Sequence, residues 1–114
     1  MGFFDELLNL IGLGERFAGL PFYDLSTVTV TARPDQERYY PEASRWAGET
    51  GTVRVAISVS ASGIPVRARV VESSGYLRLD DAAKALALDF RFASRADLAS
   101  RRGWQTRMGV VFRG

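Results

Sequence analysis

The sequence predicts an α+β domain: a small three-stranded antiparallel sheet with two helices on one face, preceded by an N-terminal helix and an extra strand. Three observations carry this. Residues 53–59, 64–71 and 104–112 alternate with the period-two pattern of half-buried strands. Residues 41–47 and 77–89 carry helix signals instead. The two kinds of element do not alternate regularly, which disfavours a doubly wound parallel sheet.

In order, Phe3, Phe4, Leu7, Leu8 and Ile11 recur at helical spacing and predict a short amphipathic helix over 3–11, stopped by Gly12 and Gly14. Residues 15–24 are irregular. Ser26, Thr27, Val28, Thr29, Val30 and Thr31 are almost purely β-branched and predict a strand ended by Pro34. Asp35 to Tyr39 reads as a polar linker. Pro41 suits the first position of a helix reaching Ala47, closed by Gly48.

Val53, Val55, Ile57 and Val59 then form one face of a strand, and Ser60 to Gly63 makes a hairpin loop. The returning strand is expected to place Ile64, Val66, Ala68 and Val70 on one face and Arg67, Arg69 and Val71 on the other. After the Ser73–Gly75 turn, a helix from Leu77 to Asp89 turns Leu79, Ala82, Ala83 and Leu86 inward, with Phe90 following. Residues 94–103 are an Arg-rich connection, and Trp104, Thr106, Met108, Val110 and Phe112 mark the last strand. Residues 1–37 form a leader and 38–114 the domain.

Composition narrows the chemistry. The 114 residues include no His and no Cys, with 15 basic against 13 acidic side chains. This excludes imidazole-assisted nucleophiles, thiolate chemistry and disulfides. Asp80-Asp81 sits at a helix start, where neighbours diverge by about 100° and do not converge on a substrate. Ser73-Ser74-Gly75 has no accompanying base. No enzyme activity, metal or cofactor is expected, and a small hydrolase working with carboxylates alone is the least favoured class.

The net charge of +2 divides unevenly. Residues 1–37 carry −4, from Asp5, Glu6, Glu15, Asp24, Asp35 and Glu37 against Arg16 and Arg33, and the remainder carries +6. Arg91, Arg95, Arg101, Arg102, Arg107 and Arg113 crowd the last stretch, without a recognised nucleic-acid motif. They are read as solvated or partner-facing, with nucleic acid disfavoured. Residues 3–20 hold four charges and match neither a signal peptide nor a membrane span.

Tyr40-Pro41, Gly51-Thr52-Val53, Gly63, Val70-Val71-Glu72-Ser73-Ser74-Gly75, Leu79-Asp80-Asp81-Ala82-Ala83 and Phe90-Arg91-Phe92, at their spacing, resemble the TonB C-terminal domain family. The resemblance covers about 38–114, and its specific part is the Ser-Ser-Gly to Leu-Asp-x-Ala-Ala stretch. Departures are Ser44 at a usual Ala, no Gln-Pro before Tyr40, and Ala93-Ser94 at a usual Pro.

The resemblance implies a non-enzymatic interaction module. It would bind an extended peptide, such as the TonB box of a receptor, by adding it beside the last strand. By position the partner-binding residues are then Tyr40, Pro41, Trp104, Gln105, Thr106, Arg107, Met108, Gly109, Val110, Val111 and Phe112. Trp104 and Tyr40 serve as aromatic anchors, and Arg107 and Arg113 as charge selectors. The resemblance also implies a periplasmic location, although the sequence shows no leader, anchor or Pro-rich span, which leaves the cytoplasm open. Their absence favours the alternative, a stand-alone secretion accessory, effector or immunity-type protein binding one cognate protein. Asp24 to Ala32 itself looks like a TonB box, so residues 26–31 are expected either to be an added strand of purely structural role or to occupy the edge of the last strand. They would occupy it in cis or from a second copy, with a homodimer through this strand or the N-terminal helix as the second arrangement.

Overall fold

A computed structural model describes residues 20–94 and 102–114. The expected helix over 3–11 and most of the Arg-rich connection lie outside the described residues. The main sheet has three antiparallel strands: β2 (Gly51–Val59) in the centre, β3 (Pro65–Glu72) on one side and β5 (Trp104–Phe112) on the other. A second, two-stranded sheet pairs β1 (Val30–Ala32) with β4 (Arg91–Phe92). The helices are α1 (Glu42–Trp46) and α2 (Leu77–Leu88).

Alternation decides the burial. Val53, Val55, Ile57 and Val59 of β2, with Trp104, Thr106, Met108, Val110 and Phe112 of β5, face the core. Leu79, Ala83, Leu86 and Ala87 of α2 close it from above. The β2–β5 register is unbroken from Gly51 opposite Phe112 to Val59 opposite Trp104. The β2–β3 register shifts twice. One shift brings Pro65 opposite Val59, so Pro65 is buried while Ile64 and Val66 are exposed, contrary to the alternation expected from Ile64 onward. Ala68 and Val70 keep their expected face, opposite Ile57 and Val55.

The Ser73–Gly75 turn is tied to α2 through Asp80, whose carboxylate accepts from the Ser73 and Ser74 hydroxyls and from the Ser74 N–H (2.9 Å). Burial pushes the Asp80 carboxyl up, but the bonds from Ser73 and Ser74 outweigh it and hold it below its ordinary value. The Glu49 carboxyl is also held low, by Arg78 (2.8 Å) and then by Ser44 (2.7 Å). Ser44 is fully buried, and its bonds to Glu49 tie α1 to the segment that leads into β2.

The expected strand over 26–31 forms only in part. Asp24 caps a 3-10 turn over Leu25–Thr27 by accepting from the Ser26 N–H (3.0 Å) and hydroxyl (2.7 Å). This turn redirects the chain, so that Val30 pairs with Phe92 and the Thr29 carbonyl accepts from the Ala93 N–H (2.9 Å). Val28 and Val30 pack against the core while Thr29 and Thr31 stay exposed. The polar linker before Tyr40 is a 3-10 turn, Gln36–Tyr39, and Pro41 is the cap of α1 rather than its first residue.

Candidate functional site

The sheet has two outer edges, one on β3 and one on β5, and the β5 edge borders a cleft. The residues of β5 with buried side chains turn their N–H and C=O groups toward β2, and the alternate residues Gln105, Arg107, Gly109 and Val111 turn theirs outward. Arg107 sits on the open face of the sheet, near Arg54, Arg67 and Arg69 of the other two strands.

The two ends of this edge are occupied by the chain itself. At the start, a short parallel bridge joins Phe22 to Gln105: the Gln105 N–H donates to the Pro21 carbonyl (2.8 Å) and its carbonyl accepts from the Tyr23 N–H (2.9 Å). The Gln105 side-chain amide donates to the Leu20 carbonyl (2.8 Å). At the far end, the Gln36 side-chain amide donates to the Val111 carbonyl. Between them, among the described residues, the outward groups of Arg107 and Gly109 bond to nothing.

Beside the second half of the strand lies an open cleft of about 380 Å³. Gln36, Glu37 and Tyr40 form one wall, and Gly109, Val111, Phe112 and Arg113 the other. The Tyr40 ring meets Phe112 edge-on at 5.3 Å, and the Arg45 guanidinium lies 4.5 Å from its centre. The Tyr40 hydroxyl donates to the Glu49 carbonyl, and Arg45 also pairs with Glu37. Tyr40 is therefore held in this wall by Phe112, Arg45 and the Glu49 carbonyl.

Several expected site residues are placed differently. Trp104 is fully buried, met edge-on by Phe92 (5.2 Å) and Tyr23 (6.1 Å), so it is a core residue and not an anchor on the surface. Tyr40 is buried to 7% exposure, although it lines the cleft. Thr106, Met108, Val110 and Phe112 have buried side chains and spend their main-chain groups on β2. Pro41 caps α1. Residues 26–31 do not cover β5 in cis; residues 21–23 take one position of that edge instead, because the Asp24-capped turn carries the following segment away to β4. The described arginines of the last stretch stand at separate places. Arg91 donates to the Leu88 and Phe90 carbonyls, Arg107 is on the open sheet face and Arg113 is at the cleft, while Arg95 and Arg101 lie outside the described residues.

Sequence reasoning missed Gln36 and Pro21–Tyr23. A lone Gln in a polar stretch carries no periodic signal, and a single parallel bridge is too short to leave one. Among the described residues no cluster of potential ligands could hold a metal, and no helix is long and apolar enough to cross a membrane.

Residues 36–112 match the family described as the Gram-negative bacterial TonB protein C-terminal. The fold is similar to the solution NMR structure of the Pseudomonas aeruginosa TonB C-terminal domain, with a TM-score of 0.64 at 18% identity. That likeness covers 84% of this chain and 95% of the Pseudomonas one. No curated protein matches.

Proposed function

Given that this chain belongs to the TonB C-terminal family of protein-interaction modules, we propose that it binds an extended peptide or partner strand by β-augmentation at β5. The observation that supports this reading is the pair of outward-facing main-chain positions at Arg107 and Gly109, unbonded among the described residues and next to an open cleft. An open strand edge of this kind leaves its main-chain groups to water, and an added strand replaces that water with directed N–H···O bonds. Side chains add selection: Arg107 on the open face and Arg113 at the cleft favour an acidic segment.

The test is a titration of isotope-labelled protein with a blocked peptide having the acidic-start, Thr/Val-rich pattern of a TonB box. The Arg107 and Gly109 amides are expected to shift downfield and gain protection. Saturating peptide without change at those two amides rejects the reading.

A second reading is a module dedicated to one cognate protein that it holds by another surface. The occupation of Gln105 and Val111 by the chain itself favours it, because much of the edge is already used. The same titration separates the two: under this reading the peptide changes nothing at β5, and the cognate protein shifts residues elsewhere.

A further inference from the structure

Resting on the β-augmentation reading, we infer that the chain itself sets the length of strand it accepts, with Gln36 as the residue that determines the far limit. The edge of β5 has four outward-facing residues, and the first and last are already bonded in cis. At Gln105 both main-chain groups are used, by Pro21 and Tyr23. At Val111 the carbonyl is used by the Gln36 side chain, which holds the place an incoming peptide N–H would take. An incoming strand therefore meets a window of Arg107, Gly109 and the Val111 N–H, flanked by stops on both sides.

The partner this window fits is a short extended segment, about four residues long, whose chain turns away at both ends. A residue facing Val111 needs no N–H of its own, because the acceptor there is taken. The two stops differ in strength. Pro21–Tyr23 is main chain and is tied to Gln105 by two backbone hydrogen bonds, with a third from the Gln105 side chain to the Leu20 carbonyl. Gln36 is an exposed side chain on a 3-10 turn and makes one neutral hydrogen bond, so it is the stop that substitution can remove. Removing it frees one acceptor, and a neutral hydrogen bond made there is worth about two- to tenfold in affinity.

The test uses the whole chain with two blocked probes of alternating Ser and Val, four and eight residues long. In the wild type both bind with equal affinity, since the extra residues find no acceptor past Gly109. In Gln36→Ala and Gln36→Met the eight-residue probe binds about two- to tenfold tighter, and the carbonyl carbon of Val111 shifts on its addition. The four-residue probe is unaffected. Met keeps the bulk of Gln without a donor, so a gain in the Ala variant alone assigns the effect to volume and overturns the inference. A wild type that already prefers the longer probe, or variants with unchanged preference, overturns it too. Failure of the β-augmentation reading has a different signature: neither probe moves the Arg107 or Gly109 amide, and the inference falls with it.

Discussion

Gly63 lies directly on the Phe92 carbonyl: a Cβ added to it would stand 1.9 Å from the carbonyl oxygen, and the Gly63 carbonyl itself accepts from the Phe92 N–H at 2.9 Å. The hairpin loop between β2 and β3 thereby carries β4, and through it β1. Gly63 also has φ of +90°, where an L side chain is strained. Gly63→Ala is expected to cost about 2–4 kcal/mol, from strain plus overlap with main chain that cannot yield. Urea denaturation followed by circular dichroism measures it, and a loss below about 1 kcal/mol would mean the loop moves freely off β4.

Proline can separate the two sides of β5. Gly109 turns its N–H away from β2, and a Cβ there meets nothing closer than Thr52 Cγ2 at 3.9 Å. Gly109→Pro is expected to leave the fold intact within about 1.5 kcal/mol, while abolishing peptide binding. Val110→Pro removes a ladder bond to Val53 and is expected to cost about 3 kcal/mol or more. Thermal melts of both variants, with the peptide titration on the first, distinguish an edge that binds from one that only supports the sheet.

The two tryptophans report opposite environments. Trp104 is fully buried and Trp46 is 89% exposed. Trp46→Phe is expected to leave a blue-shifted emission resistant to iodide, and Trp104→Phe a red-shifted emission that iodide quenches. Trp104→Ala empties the space between Phe92 and Tyr23 and is expected to cost about 3–5 kcal/mol.

Acid should weaken the domain through its hydrogen-bonded carboxylates. Asp80 and Glu49 both titrate below their ordinary values in the folded state. Their stabilisation is full above the unfolded carboxylate range, about pH 4–4.5, and is lost as pH falls through the lower folded values. Asp80→Asn is expected to lower stability by about 1 kcal/mol at pH 7. Denaturation at pH 7 and at pH 3 checks this: the gap between variant and wild type should narrow at the lower pH. A gap that widens in acid would contradict the sign.

The sheet and α2 were legible because each carries a long, clean period: Val53 to Val59 and Trp104 to Phe112 for strands, Leu79 to Leu86 for the helix. The β3 faces were not, because bulges opposite Arg54–Val55 and Ser58–Val59 shift the pairing by a residue that alternation cannot see. Trp104 is expected from the resemblance as an anchor, and the packing of Tyr23 and Phe92 makes it core instead. Asp24 illustrates the other gap. Its capping bonds end the strand tendency of Ser26 and Thr27 locally, and so choose β4 over β5 as the partner of Val30.

The central position of β2 has a kinetic consequence. Its pairing with β3 needs only the Ser60–Gly63 loop to close, whereas its pairing with β5 must close residues 60–103. Loop-closure entropy and the late synthesis of β5 both favour a first-formed unit of β2, β3 and α2, with β5 docking last. Substitutions at Val110 are then expected to speed unfolding more than they slow folding, as stopped-flow rates would show. Until β5 docks, the unpaired side of β2 is itself a template for any extended chain nearby, so the finished domain owes its selectivity to the strand that arrives last.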